Sequence, residues 1–156
     1  MEAVTLEHIE SEHARIGELI KKFKAQPIAT EYRVDAVTIP LAPGERVAGA
    51  IYKDDGALDY YLIKLPGDGG DVGHTNAAAY AANRGGKLPN RREGRLLMAN
   101  LADEFDEVAY WLEEDYEPDH AYAWFQHFRS GYQYHLGLKS AARRAVAVRR
   151  FIPSEI

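Results

Sequence analysis

The hydrophobic period of the chain changes once, close to Pro27, and this change limits the possible folds more than any other feature. Before Pro27, one set of residues recurs at steps of three and four, which places them on one face of a helix. This set is Leu6, Ile9, His13, Ile16, Ile20 and Phe23. After Pro27, apolar and polar residues alternate in short runs, as in half-buried strands. The pattern predicts a helix followed by a domain of another type.

The stripe of the first helix has two interpretations. It matches the a and d positions of a heptad, with Ile9 and Ile16 at d, and isoleucine there favours more than two strands. The helix either packs on its own domain or self-associates as a homo-oligomer, with a trimer favoured. We predict an assembly or attachment helix over residues 1–27 and a second domain over residues 28–156. The predicted oligomerisation residues are Leu6, Ile9, Ile16, Ile20 and Phe23.

The rest of the chain predicts an α+β domain, with two helices between groups of short, antiparallel strands. Tyr32, Val34 and Ala36 alternate with polar neighbours and predict its first strand. Gly56 follows two aspartates and predicts a hairpin, because glycine tolerates the positive φ of such turns. Asn90 can cap the second helix. The other predicted elements are strands over 47–52 and 58–65, helices over 76–84 and 91–102, strands beyond residue 110, a turn at 130–131 and a closing strand over 145–152.

Composition excludes several classes of function. The chain has no cysteine, which excludes disulfides, thiolate metal sites and cysteine nucleophiles. A net charge of −5 argues against general binding of nucleic acid through its phosphates. No apolar run reaches the roughly 18 residues that a membrane span needs, and the first residues do not have the pattern of a secretory signal. We therefore expect a protein made in the cytoplasm that has neither a nucleic acid nor a membrane as its partner.

Charge is segregated in the second half of the chain. Residues 103–119 hold nine acidic residues and no lysine or arginine, whereas residues 139–150 hold five basic residues and no acid. The two segments either pair with each other across the fold or leave the acidic one as an exposed recognition loop.

Motifs for catalysis or metal binding are weak. The glycine-rich residues 67–74 lack the Lys-Ser/Thr pair of a phosphate loop and do not have the spacing of an EF-hand, so they predict a surface turn. His120, His127 and His135 are seven and eight residues apart, which matches no common ligand pair. Glu113 and Glu114 could serve a glycan hydrolase as paired carboxylates. We predict no metal ion, no cofactor and no catalytic residue.

Aromatic residues are concentrated in one segment. Nine of the 17 aromatic residues lie within residues 110–134. On a strand there, alternation places Tyr122, Trp124, Gln126 and Phe128 on one face, with Phe125 and His127 on the other. Aromatic side chains with a polar tip are common in recognition surfaces, where they supply contact area at low entropic cost.

Several segments resemble, in order, a known protein family. Residues 85–93 resemble its signature GG-(R/K)-LP-(T/N)-R-x-E. Residues 110–111, 122–131 and 147–150 resemble its later landmarks, and the resemblance covers roughly residues 60–152. The family is a domain without an assigned function. It includes the C-terminal domain of bacterial collagen-like adhesins and many phage and prophage proteins.

The resemblance implies a C-type-lectin-like fold, shared distantly with formylglycine-generating enzymes and with variable phage receptor-binding proteins. The catalysis of those enzymes does not carry over to a chain without cysteine. Residues 112–114 replace the Ser-Ser of the family pattern. Residues 117–119 resemble the calcium-sugar tripeptide of animal C-type lectins, but the companion Trp-Asn-Asp is missing. In the family view, Arg91 and Glu93 anchor the second helix.

These observations lead to one functional expectation. The chain would be a non-enzymatic bacteriophage or prophage protein, made in the bacterial cytoplasm and associated with the virion or its tail. Its partner would be a protein or glycan on the host surface, or another virion protein. An inhibitor or regulator of a host protein and a glycan hydrolase are the alternatives. The predicted partner-binding residues are Glu113, Glu114, Tyr116, Phe125, His127, Arg129, Tyr132, Tyr134 and His135.

Overall fold

The computed structural model describes residues 3–26, 31–34 and 36–153. The chain forms two compact units, Met1–Ala36 and Val37–Ile156. The first contains α1 (Leu6–Ala25). The second contains β1 (Arg46–Tyr52), β2 (Leu58–Lys64), β3 (Asp71–Val72), α2 (His74–Asn83), α3 (Arg91–Leu101), a short 3₁₀ helix (Ala102–Glu104), β4 (Ala109–Asp115), β5 (Tyr122–His127), β6 (Gln133–Leu138), β7 (Arg143–Arg144) and β8 (Val148–Phe151). The predicted α+β class is confirmed.

The first helix forms where the stripe predicts it. Thr5 caps it, since its hydroxyl accepts a hydrogen bond from the N–H of His8 at 3.2 Å. Lys22 and Lys24 lie in the last turn, where positive charge complements the helix dipole. No residue of α1 is buried. The predicted stop at Pro27 lies outside the described residues.

The strand predicted around Tyr32, Val34 and Ala36 is wrong. Residues 31–34 and Ala36 have no regular structure. Alternation specifies a strand only where a neighbouring strand completes the ladder of hydrogen bonds. The first strand of the described chain is β1, and β2 is its hydrogen-bonded neighbour.

One sheet has three strands, in the order β1-β2-β8. The predicted hairpin between β1 and β2 is confirmed: Lys53 N–H donates to the carbonyl of Ala57 at 2.8 Å, and Gly56 has a φ of 86°. The predicted closing strand over 145–152 is too long. Only β8 pairs with β2, because residues 145–147 hydrogen-bond to the loop after β2 and β7 belongs to the other sheet.

The second sheet has the order β3-β7-β4-β5-β6. Its pairs are antiparallel except the short parallel pair of β4 with β7. The register is irregular in the β4-β5 pair, between Trp111 and Asp115, and in the β5-β6 pair, between Ala123 and Phe125. The turn predicted at residues 130–131 joins β5 to β6, with a φ of 80° at Gly131.

Two apolar clusters hold the second unit together. One joins the three-stranded sheet to α3, and the rings of Phe105, Tyr110 and Phe128 pack at its centre. The other surrounds Trp111, whose indole N–H donates to the carbonyl of Val72 at 2.8 Å. The described residues contain no helix long and apolar enough to cross a membrane.

A fully buried carboxylate, that of Glu93, links α3 to the three-stranded sheet. Its Oε1 accepts from Lys87 Nζ at 2.7 Å and from the Asn90 N–H at 2.9 Å. Its Oε2 accepts from the Tyr60 hydroxyl at 2.6 Å and from Arg150 Nε at 3.1 Å. Asn90 completes a capping box by accepting from the N–H of Glu93 at 2.8 Å. Glu93 therefore has the anchoring role that the resemblance implies.

The pKa of Glu93 reflects these contacts. Burial by itself would raise this pKa, because the charged form loses its hydration. The hydrogen bonds from Asn90, Lys87 and Tyr60 outweigh that effect and hold the pKa below its ordinary value. The carboxylate is thus ionised, and Lys87 and Arg150 balance its charge.

The acidic and basic segments pair with each other in part. Arg144 binds Asp106 at 2.5 Å, and Lys139 binds Asp115 at 3.0 Å. Arg149 instead pairs with Glu45 at 2.7 Å, outside the acidic segment. Pairing between the two segments therefore accounts for two of the acidic segment's carboxylates, and Arg46 binds two more, Asp103 at 2.9 Å and Glu104 at 2.8 Å.

We predict that Glu93→Gln lowers the free energy of unfolding by about 3–5 kcal/mol, because it leaves Lys87 and Arg150 without a buried counter-charge. Urea denaturation of the full chain measures this change. Glu113→Gln is the matched control, because Glu113 binds the same Lys87 at 3.0 Å from an exposed position. It should cost less than about 1 kcal/mol. Equal losses in the two variants would contradict the assigned role of Glu93.

The lowered pKa of Glu93 also predicts a pH dependence. A carboxyl group with a lowered pKa stabilises the fold above the pKa of an unfolded glutamate, about 4.3, and this contribution is lost as the pH falls through the folded-state pKa. The free energy of unfolding should therefore decrease from about pH 5 to pH 3. The decrease should be smaller in Glu93→Gln, as measured by urea titrations at several pH values. The same slope in both proteins would be the contrary result.

Gly94→Ala should destabilise the fold even though alanine is the better helix former by about 1 kcal/mol. A Cβ at Gly94 would lie 2.6 Å from Oε1 of Gln126 and 3.0 Å from Cδ2 of Leu112. We expect a loss of about 1–3 kcal/mol in urea denaturation. Gly17→Ala is the control in α1, where a Cβ meets nothing within 4 Å. A stable Gly94→Ala protein would show that α3 can move away from β5.

Candidate binding surface

The predicted contact residues lie on or next to β4, β5 and β6, and they differ in exposure. Exposed members are Glu113, Arg129, Tyr132, Tyr134 and His135. Half-buried members are Glu114, Tyr116, Phe125 and His127, because each packs on or hydrogen-bonds to its neighbours. These four side chains are therefore only partly accessible to a partner.

The two faces of β5 present different surfaces. Trp124 and Phe125 are consecutive, so their side chains point to opposite faces of the sheet. Trp124 packs under Arg91, the first residue of α3, whereas Phe125 packs against Arg143 and Trp111. The predicted alternation along this strand is therefore confirmed for these two residues. The Trp124 face consists of Arg91, Glu114, Tyr116, Trp124, Gln133 and His135. The Phe125 face consists of Trp111, Phe125, Tyr134 and Arg143.

A cation and three aromatic rings form the Trp124 face. The guanidinium carbon of Arg91 lies 3.6 Å from the centre of the Trp124 ring, a close cation–π contact. The ring of His135 lies 5.4 Å from that of Trp124 and 4.7 Å from that of Tyr116. Arg91, Trp124 and Tyr116 are half-buried, and His135 is exposed. The result is a continuous run of flat side chains that begins at the N-terminal end of α3.

Two glutamines support this face from below. Gln126 is fully buried, and its amide donates to the carbonyl of Gly94 at 2.8 Å. The amide of Gln133 donates to Oε1 of Gln126 at 2.8 Å and to the carbonyl of Arg91 at 2.6 Å. These bonds fix β5 and β6 against the first turn of α3.

The same face retains hydrogen-bonding groups without a partner. Nε of Arg91 and Oε1 of Gln133 are buried, and neither has a hydrogen bond within the described part of the chain. Buried polar groups are almost always hydrogen-bonded, since an unpaired one costs about 1–3 kcal/mol. Both atoms lie beneath the accessible surface, so an ordered water or a local rearrangement of this face would satisfy them.

Glu114 lies at the edge of the Trp124 face. Both of its carboxylate oxygens accept from the backbone N–H of Arg91, at 2.9 and 3.0 Å. Burial raises the pKa of Glu114, and the bond from Arg91 opposes this only in part. Glu113 instead binds Lys87 Nζ at 3.0 Å. Glu113 and Glu114, the paired carboxylates of the hydrolase alternative, therefore bind different residues: Lys87 before α3 and Arg91 at its start.

The Phe125 face is a second cation–aromatic stack. Phe125 and Tyr134 are cross-strand neighbours with stacked rings 5.2 Å apart. The guanidinium of Arg143 lies 4.1 Å from the Phe125 ring and 4.7 Å from the Trp111 ring. Burial lowers the pKa of Arg143, and its Nη1 has no hydrogen-bond partner among the described residues.

The other predicted contacts lie in the turn between β5 and β6. Nδ1 of His127 accepts from the N–H of Arg129 at 3.2 Å, which shapes the turn. Tyr132 follows, and 66% of its surface is exposed. These residues lie at one end of the β5-β6 hairpin, where the two strands are joined.

Sequence reasoning missed five members of these faces: Arg91, Trp111, Trp124, Gln133 and Arg143. It gave Arg91 an anchoring role and did not include Trp124 among the contact residues, although their contact builds the Trp124 face. Gln133 and Arg143 were not singled out. Arg143 was visible only as one of five basic residues, and Gln133 had no local signal, because its role depends on pairing with Gln126 in the neighbouring strand.

The described residues contain no group of three or more His, Cys, Asp or Glu side chains that could hold a metal ion. The three histidines of the predicted aromatic segment are separated: His120 is near Asp115, His127 is in the turn, and His135 is on the Trp124 face. In the glycine-rich loop, Asp68 and Asp71 both bind Arg144, at 3.3 Å each. That ion pairing gives the two loop carboxylates a structural role.

Both faces combine an arginine with stacked rings, and both keep a buried N–H of the guanidinium without a partner in the part of the chain that is described. In comparisons with known proteins, no family model, no curated protein and no solved structure matches the chain.

Proposed function

We propose that this chain is a non-enzymatic binding protein whose second unit recognises a partner through the Trp124 and Phe125 faces. The observation that carries the proposal is the pairing, on each face, of a cation–aromatic stack with a buried polar group that has no partner among the described residues. Arginine and aromatic residues dominate the energetics of binding surfaces, because they supply area and directed hydrogen bonds together.

The class of partner follows from this chemistry and from the sequence resemblance. Exposed rings such as Tyr134 and His135 can stack on a sugar ring or on a peptide side chain. The guanidinium of Arg91 and the amide of Gln133 are the kinds of group that bind sugar hydroxyls or peptide amides. We propose a protein or glycan on a bacterial surface, or another virion protein, as the partner.

The fold family and the phage origin are proposed on the basis of the sequence resemblance. We propose a C-type-lectin-like fold for the second unit, supported by two helices, short and mostly antiparallel strands, and the capping role of Glu93 in the signature segment. A bacteriophage or prophage origin and an association with the virion or tail are proposed on the same sequence motifs. We further propose that α1 makes the protein a homo-oligomer, which would present several copies of the binding surface.

The binding surface predicts a specific pair of substitutions. His135→Ala should weaken binding about tenfold or more, because the ring packs on Trp124 and Tyr116 and lies exposed at the centre of the face. His120→Ala is the matched control, since His120 is an exposed histidine near Asp115 and outside both faces. The full chain would be tested on an array of purified bacterial surface polysaccharides and on intact host cells.

A parallel measurement tests the virion association. Mass spectrometry of purified particles, produced by inducing the prophage or growing the phage that encodes the chain, should detect the protein at the level of a structural component. Absence from particles, together with no binding to polysaccharides or cells, would contradict the proposal. Equal binding of the His135→Ala and His120→Ala proteins would move recognition away from the Trp124 face.

A further inference from the structure

The helix α1 has an apolar stripe whose side chains are exposed. Its large apolar side chains are all at least half exposed, with 71% exposure at Leu6 and 63% at Phe23. In proteins, most of the stability of a helix comes from packing its amphipathic face rather than from its intrinsic propensity. The helix therefore needs a partner for this stripe.

Charge is distributed unevenly along α1. Residues 6–12 carry three glutamates and no lysine or arginine, whereas residues 19–25 carry three lysines and no acid. Two parallel copies would align the glutamates with glutamates and the lysines with lysines. An antiparallel partner brings the acidic half of each helix next to the basic half of the other, which is favourable for the charges and for the helix dipoles.

The stripe also fits an antiparallel partner in register. With Leu6 at an a position, the a and d residues are symmetric about the middle of the helix. Leu6 then lies opposite Phe23 of the second copy, Ile9 opposite Ile20, and His13 opposite Ile16. Each layer occurs twice because of the two-fold symmetry. In the same register Glu10 and Lys24 both occupy e positions, which flank the seam, and face each other across it.

We infer that α1 pairs with α1 of a second copy as an antiparallel, two-stranded coiled coil, so that the protein is a two-fold symmetric dimer. This inference rests on the proposed self-association and specifies its partner, orientation and register. The second copy is the occupant because its helix supplies both the matching apolar layers and the opposite charges. The ends of the two helices that lead into the binding units then lie about 30 Å apart, at opposite ends of the coil.

The three-stranded arrangement favoured by isoleucine at d concerns parallel helices. In the antiparallel pair each d residue faces an a residue, so Ile9 meets Ile20 instead of a second Ile9. A symmetric trimer must be parallel, and it would place Lys24 of each helix near the lysines of its neighbours. The charge pattern therefore favours the dimer.

A charge-swap experiment tests the orientation. Lys24→Glu places Glu10 and the new acid opposite each other at two symmetric positions, so the dimer dissociation constant of the full chain should rise about tenfold. The double variant Glu10→Lys/Lys24→Glu restores opposite charges and should return to within about threefold of the original value. Light scattering and sedimentation equilibrium at low salt measure both.

Lys22→Glu is the matched control, because residue 22 lies at the outward c position in the same last turn. Lys22→Glu changes the net charge and the charge at the helix end by as much as Lys24→Glu does. It should nevertheless leave the dimer dissociation constant within about threefold of the original value. A double variant as weak as Lys24→Glu alone, or a control as weak as Lys24→Glu, would overturn the antiparallel register.

Cross-linking gives an independent answer, because the native chain has no cysteine. Full-length Leu6→Cys and Phe23→Cys proteins, one of them labelled with nitrogen-15, would be mixed and oxidised. Intact mass should show a disulfide-linked species that contains one copy of each. Disulfides between identical variants would indicate parallel helices, and no disulfide would indicate no pairing; either result overturns the inference.

The experiments distinguish a failure of the antiparallel dimer from a failure of the proposed binding function. A full chain that is monomeric in light scattering would overturn the dimer, whereas the comparison of His135→Ala with His120→Ala would still report on recognition by the second unit. A trimer would overturn the two-fold arrangement and retain the proposed homo-oligomer.

Discussion

The buried carboxylate of Glu93 is the interaction on which the rest of the second unit depends. An isolated charge at that depth would be strongly destabilising, so the fold has to deliver several donors to one point. Tyr60 comes from β2, Arg150 from β8 and Lys87 from the segment before α3. Lys87 is itself fixed by two backbone hydrogen bonds with Val148 at 2.9 Å. One side chain thus sets the position of α3 relative to the sheet.

This constraint extends to the binding surface. Because Glu93 and Asn90 fix the first turn of α3, Arg91 begins the helix directly over Trp124. Glu114 then accepts from the N–H of Arg91, and the amide of Gln133 donates to its carbonyl. A polar face with unpaired groups is costly for stability, and it persists where the surrounding structure fixes it. The capping box that begins α3 therefore also positions the cation of the Trp124 face.

Local signals in the sequence predict the local parts of this structure. The stripe of α1, the hairpin at Gly56 and the cap at Asn90 each depend on residues within a few positions, and all three form as predicted. Parts that depend on distant partners are not predictable in this way. The alternation around Val34 has no neighbouring strand, and Gln133 acquires its role only by facing Gln126. Residues 145–147 read as strand, but they pass between two sheets.

The two units differ in how they balance charge. In the second unit the conspicuous cations have internal partners: Arg144 binds three aspartates, Arg149 binds Glu45, and Arg150 binds Glu93. Within the described residues, no carboxylate forms an ion pair with Lys21, Lys22 or Lys24 of α1, and no residue of that helix is buried. A domain with its own core and its own counter-charges can recognise a partner as a single copy. The inferred pairing of α1 would supply both a cover for its exposed apolar side chains and counter-charges for its three lysines, since the glutamates lie at the opposite end of the same helix.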